Sequence, residues 1–170
     1  MSDIFISYAS EDRSRAEKLA KKLEEQGWSV WWDKTIPPGK TFDQVIQEAI
    51  DSATCVVVLW SKKSINSDWV KEEANIGKKR KILVPAKIDP VDPPIGFGRI
   101  QAADLTDWEA ESIHSGFTIL LSAISEIVGP LALKVKETVQ KREEEQKRRE
   151  IKAEIKSEKL FLSIAILLII

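Results

Sequence analysis

Short apolar runs alternate with longer amphipathic stretches between residues 3 and 133, and this alternation constrains the fold more than any other feature of the chain. Thr54–Trp60 is a continuous apolar run, which is typical of a central parallel strand covered on both faces. Between Asp12 and Gln26 the apolar residues instead recur at helical spacing, and Gly27 follows as a helix stop. Strands that alternate with helices form βαβ units, so the pattern predicts a parallel sheet with right-handed crossovers.

Five strand candidates follow one another in this part of the chain, and a last helix is expected over residues 113–127. The sequence therefore predicts an α/β, flavodoxin-like, doubly wound sheet of five parallel strands in the order 2-1-3-4-5, forming one domain over residues 1–133. Ligands of such open sheets bind beyond the carboxyl ends of the strands, at the point where the strand order reverses. The strand candidates are Ile4–Ile6, Trp28–Trp32, Thr54–Trp60, Ile82–Ile88 and Gln101–Leu105.

The composition changes after Pro130. Residues 134–159 contain 10 Lys or Arg and 7 Asp or Glu and no Gly or Pro, which predicts a charged connector helix, or a coiled coil, although the apolar positions are sparse for a heptad seam. Residues 160–170 carry no charge but would cover only about half of a roughly 30 Å bilayer core. This tail fits the start of a cut transmembrane helix, a segment dipping into one leaflet, or a segment packed on a partner. We expect a cytoplasmic protein, with a tether to the inner face of a membrane as an option.

Composition also excludes several kinds of site. A net charge of −1 gives no reason to expect nucleic acid as a partner. The single Cys55 cannot form an internal disulfide, and the single His114 cannot supply a histidine-based metal cluster, so no metal is expected. Nucleotide and metal fingerprints such as GxGxxG, GxxxxGK[ST], HExxH and CxxC are absent from the sequence.

A carboxylate beside aromatic rings is what remains at the predicted ligand edge. Trp69 and Glu73 are four residues apart on a predicted helix and are therefore neighbours on one face. The ring could stack on a base while the carboxylate holds ribose hydroxyls or favours positive charge at an anomeric carbon. The plainer alternative is that Glu72 and Glu73 are solvated acids near a helix N-terminus, where the helix dipole favours them.

Four segments together resemble the Toll/interleukin-1 receptor (TIR) domain family, over about residues 1–130. Residues 3–12 (DIFISYASED) are similar to the first TIR motif. Residues 30–33 (VWWD) and 36–39 (IPPG) are similar to the second strand and the BB loop. Residues 56–61 (VVVLWS) and 67–73 (SDWVKEE) resemble the bacterial, NAD-cleaving branch, whose pattern is Trp-x-x-x-Glu.

The resemblance implies a substrate and a set of site residues. NAD-cleaving members release nicotinamide and leave ADP-ribose or a cyclised isomer, so NAD+ would be the substrate and no cofactor is implied. By position, Glu73 would be the catalytic carboxylate and Trp69 would shape the pocket beside it. Ala9 and Ser10 stand where some members carry basic residues, so Lys34, Lys40 or backbone amides would bind phosphate. Further residues that fall where family members line the cleft are Tyr8, Trp32, Asp33, Gly39 and Ser61.

The resemblance also implies self-association, with the BB loop of one copy completing the site of its neighbour. The charged helix and the apolar tail would then cluster or tether copies, in a setting such as bacterial defence or cell-death signalling. Two alternatives stay open: a non-catalytic module that recruits another TIR domain, and, less well matched, a base-exchange or deoxyribosyl-transfer enzyme. The BB-loop residues are Ile36, Pro37, Pro38, Gly39 and Lys40.

Overall fold

The sheet has five parallel strands in the order β2-β1-β3-β4-β5, which confirms the predicted flavodoxin-like topology. The computed structural model describes residues 2–33, 39, 41–110, 114–129 and 147–148. Both edge strands are shorter than the sequence indicated, because an edge strand pairs on one side only. The strands are β1 (Ile4–Ser7), β2 (Val30–Trp31), β3 (Cys55–Trp60), β4 (Leu83–Lys87) and β5 (Ala103–Asp104).

Helices cover both faces of this sheet. They are α1 (Arg13–Glu25), α2 (Phe42–Ser52), α3 (Asp68–Lys79) and α4 (Ser115–Val128). The apolar residues of α1 and α4 pack on one face, and those of α2 and α3 pack on the other. Because side chains alternate along a strand, Ile4 and Ile6 join the first core while Phe5 joins the second. Ser7 follows on the face of Phe5 and therefore points towards α3.

Side-chain caps fix where these helices begin. Thr41 and Gln44 form a reciprocal capping box at the start of α2. The Ser67 hydroxyl accepts from the amide of Val70 and caps α3. The last helix begins at Ser115, later than the predicted start at residue 113, and the His114 side chain caps it by accepting from the amide of Phe117.

The neighbouring indoles of Trp31 and Trp32 lie on opposite faces of the sheet. Trp31 stacks on Phe5, with ring centroids 4.9 Å apart, on the side of α2. Trp32 packs against the core on the side of α1. The two rings therefore cannot contribute to the same surface, and only Trp32 comes near the residues that follow β1.

Contacts divide the chain into two compact units, Met1–Leu131 and Ala132–Ile170. In the second unit only Lys147 and Arg148 are described, and both are helical. The predicted connector helix is otherwise outside the described residues, as are the apolar tail at 160–170 and the BB-loop positions 36–38 and 40. Within the described ranges, no helix has the length and apolar character that crossing a membrane requires.

Candidate functional site

Glu73 is almost completely buried at the carboxyl edge of the sheet, where the sequence predicts the ligand site. It lies on α3, is 3% exposed, and accepts a hydrogen bond of 2.5 Å at Oε2 from the hydroxyl of Ser7. Ser7 is the last residue of β1 and is itself fully buried. The adjacent Glu72 is exposed. The two acids at the start of α3 are therefore physically different groups, and the one predicted to be functional is the desolvated one.

Trp69 lies one helical turn before Glu73 and lines two depressions in the protein surface. It lines a cleft of about 1050 Å³ together with Tyr8, Arg13 and other residues of the strand-end loops. It also lines a recess of about 90 Å³ in which Glu73 and Glu72 face residues of α2. Trp69 is thus shared by the two depressions, and Glu73 lines the recess but not the cleft.

Three predicted site residues meet around Arg13. The hydroxyl of Tyr8 donates to the carbonyl oxygen of Trp32 at 2.9 Å, and burial raises the pKa of this phenol. The guanidinium of Arg13 lies 5.3 Å from the centroid of the Trp32 ring and pairs with Asp33 at 2.9 Å. Asp33 is therefore held by a cation at the rim of the cleft. Arg13, on the first turn of α1, was not singled out from the sequence because its partner lies 20 residues away along the chain.

Ser61 lies deeper than the predicted contact with a ligand would require. It is fully buried, its hydroxyl donates to Asp12, and the same oxygen accepts from the amides of Lys63 and Ser64. These contacts indicate that Ser61 shapes the loop after β3 and does not face the cleft, which agrees with its absence from the cleft lining. The contribution of Ser61 to binding would be indirect.

Gly39 is the one described residue of the BB loop. It is exposed and has a φ of +87°, a left-handed conformation that side chains with a Cβ rarely adopt. Among the described residues, no atom lies within 4 Å of the position that a Cβ would take. The positive φ, and not crowding by those residues, is therefore what favours glycine here.

Metal binding and thiol chemistry are not suggested by the described residues. No group of three or more His, Cys, Asp or Glu side chains among them could hold a metal ion. Cys55 is buried in β3, and burial raises the pKa of its thiol to about 12. A thiol in that environment stays protonated near neutral pH and acts as packing.

The family model for the TIR domain matches residues 4–120, which include the strand-end residues and α3. The chain belongs to the TIR family. A search of curated proteins found no match. Glu73, Trp69 and the residues that line the cleft therefore lie inside the part of the chain that matches the TIR family.

Several solved TIR structures are similar to this chain. The TIR domain of the Toll-related Receptor TRR-2 from Hydra magnipapillata is 25% identical, with a TM-score of 0.58 over 63% of this chain and 86% of that one. A TIR-STING receptor from C. gigas is 24% identical, with a TM-score of 0.58 over 78% of this chain. Its complex with 2',3'-cGAMP is 23% identical, with a TM-score of 0.60 over 74% of this chain. The match spans only 43% and 40% of those two receptor chains, so they support the fold alone.

Proposed function

We propose that this TIR domain is an NAD+ nucleosidase that cleaves the N-glycosidic bond to nicotinamide, with Glu73 as the catalytic carboxylate. The observation that supports this most directly is the placement of a buried acid beside Trp69 at the carboxyl edge of the sheet. Asp12 is equally buried, but its carboxylate is paired with the guanidinium of Arg15. A buried polar group is costly unless it is hydrogen-bonded, and here Ser7 supplies a hydrogen bond from β1. A carboxylate that stays buried despite the free-energy cost of removing it from water is a candidate catalytic group.

The reaction that fits this arrangement breaks the bond between the ribose and the nicotinamide nitrogen. Nicotinamide leaves with the bonding electron pair as a neutral molecule, and positive charge develops at the anomeric carbon and ring oxygen. The Glu73 carboxylate stabilises that charge, and electrostatic stabilisation is strong where water is excluded. Attack by water, which gives up a proton, yields ADP-ribose. Attack by a nucleophilic atom of the same molecule yields a cyclised isomer.

Access to Glu73 requires a rearrangement around Trp69. The recess that holds the carboxylate has a volume of about 90 Å³, too small for a nicotinamide riboside unit, and the cleft does not reach it. A shift of the Trp69 indole would join the two depressions. We propose that self-association favours this shift, with the BB loop that contains Gly39 as the contact between copies.

The test is NAD+ consumption by the full chain over a wide range of protein concentration. We expect the rate to rise faster than linearly with concentration and to disappear in Glu73→Gln, which keeps the shape of the side chain and an acceptor for Ser7. Glu72→Gln is the matched control, since it removes the same charge from the exposed neighbour. Full activity in Glu73→Gln would remove the assignment of Glu73.

A non-catalytic scaffold is the second candidate, and the burial of Glu73 also favours it. An acid that is 3% exposed and bonded to Ser7 could serve to join α3 to β1 without touching any ligand. In that case the wild-type chain would show no NAD+ turnover even when copies are forced together by a fused oligomer. Glu73→Gln would then change only the stability of the domain.

A further inference from the structure

A closed ring of hydrogen bonds ties the loops after β3 and β4 to the start of α1. The buried carboxylate of Asp12 accepts from the hydroxyl of Ser61 and from the guanidinium of Arg15. Arg15 also donates to Asp89 Oδ1 at 2.8 Å. The other oxygen of Asp89 accepts from the backbone amide of Lys62 at 2.8 Å. Because Lys62 directly follows Ser61 in the chain, this bond closes the ring.

The ring fixes the backbone of two neighbouring lysines. Asp89 holds the amide of Lys62, and the hydroxyl of Ser61 accepts from the amide of Lys63 at 3.1 Å. Asp12 and Ser61 are 3% and 0% exposed, so the charge-assisted bond between them lies away from water and is little screened. The bond from the Lys62 amide to Asp89 is exposed to solvent. The side chains of Lys62 and Lys63 remain exposed and line the cleft. The loop therefore places the backbones of two exposed lysines at one edge of the cleft.

The charges around the cleft favour an anionic ligand. Its lining contains Arg13, Lys62 and Lys63 against one carboxylate, that of Glu11. Arg13 is already paired with Asp33. Among the described residues, neither Lys62 nor Lys63 takes part in a salt bridge. The lysine edge is thus a positive region without a direct ion pair among the described residues, although the charge of Asp89 acts on Lys62 from nearby.

We propose that Lys62 and Lys63 form the subsite for the diphosphate of the dinucleotide, held in position by the Asp12–Ser61–Asp89–Arg15 ring. This proposal rests on the proposed function, because it assigns the phosphate end of the same substrate. Lysine is an effective point-charge partner for phosphate oxygens, and two adjacent lysines match a diphosphate better than a single anion. Trp69 lines the same cleft, and the volume of about 1050 Å³ accommodates a ligand of dinucleotide size. The resemblance implied Lys34, Lys40 or backbone amides as the phosphate contacts, and those two lysines lie outside the described residues.

The experiment compares the full chain with the double variant K62Q/K63Q. The control is K18Q/K79Q, which removes the same charge from two exposed lysines outside the cleft. Binding of ADP-ribose and of adenosine is measured by calorimetry, and NAD+ turnover is measured in parallel. We expect K62Q/K63Q to weaken ADP-ribose binding about 10-fold, with adenosine binding unchanged and the control equal to wild type. In turnover, KM rises about 10-fold with kcat within about twofold.

The binding measurement separates this proposal from the proposed function. If the wild-type chain binds ADP-ribose through the two lysines but does not cleave NAD+, the subsite is supported and the nucleosidase assignment fails. If K62Q/K63Q binds ADP-ribose as tightly as wild type, the subsite is overturned whatever the turnover. An equal loss in K18Q/K79Q would also overturn it, because the effect would then reflect net charge and not position.

Discussion

Ser7→Ala is the sharpest test of the site, because it removes one hydrogen bond and nearly nothing else. The hydroxyl of Ser7 donates to Glu73 Oε2 at 2.5 Å, and both side chains are buried. A hydrogen bond to a charged group contributes about 1.5–3 kcal/mol net. We therefore expect the free energy of unfolding to fall by about that amount. If the bond also aims the carboxylate at the reacting carbon, the same free energy corresponds to roughly a 10- to 150-fold loss in kcat.

The assay pairs denaturant unfolding with NAD+ turnover at saturating substrate. KM should stay within about twofold, because Ser7 is buried and does not line the cleft. Ser64→Ala is the matched control, since Ser64 is equally buried but its hydroxyl bonds to the backbone of Ser61. That variant should lose stability and keep kcat. Ser7→Cys, which has a similar shape and a weak donor, should give an intermediate kcat.

Two results would refute this reasoning. An unchanged kcat in Ser7→Ala, together with reduced stability, would show that Ser7 only supports the fold. An equal loss of kcat in Ser64→Ala would show that turnover follows general stability and not the orientation of Glu73. Either result would leave Ser7 out of the catalytic arrangement.

Two further predictions concern packing and pH. A Cβ at Gly116 would lie 1.8 Å from the carbonyl oxygen of Asp104. Gly116→Ala should therefore destabilise the domain by about 1–3 kcal/mol or more in denaturant unfolding. Gly98→Ala should be nearly neutral, because no atom of the described residues lies within 4 Å of its Cβ position. The hydrogen bond from Arg15 lowers the pKa of Asp89. The bond between Arg15 and Asp89 therefore stabilises the fold above the unfolded-state pKa of about 3.9, and this stabilisation is lost as pH falls through the lower pKa that Asp89 has in the folded state. The difference in unfolding free energy between wild type and Asp89→Asn should shrink over that acidic range; a constant difference from pH 7 to pH 2 would contradict the ion pair.

The central strand and the cap of α3 could be predicted because their signals are local. The apolar run ending at Trp60 indicates a strand covered on both faces, and this strand lies between β1 and β4. Ser67 caps α3 through a bond to a residue three positions away, a spacing that a sequence shows directly. The edge strands were predicted too long, because their ends depend on a neighbour that only one side of the strand has.

The polar contacts of the site could not be predicted, because they join residues far apart in the chain. Ser7 and Glu73 are 66 residues apart, and Arg15 and Asp89 are 74 residues apart. Neither pair has a spacing rule that a single sequence reveals. The prediction for Ser61 placed it correctly at a strand end but could not show that its hydroxyl points to buried partners. The direction of a side chain at a strand end depends on the loops that surround it.

The separation of Glu73 from the cleft connects the proposed chemistry with assembly. Trp69 lines both the cleft and the recess, whereas Glu73 lines the recess and not the cleft. In the proposed function, the phosphate end of NAD+ would bind first, and cleavage would wait for the shift of Trp69 that brings the ribose to Glu73. In this scheme the lysine edge controls KM, whereas Glu73 and self-association control kcat. Measuring both constants at low and high protein concentration tests it, since KM should stay constant while kcat rises.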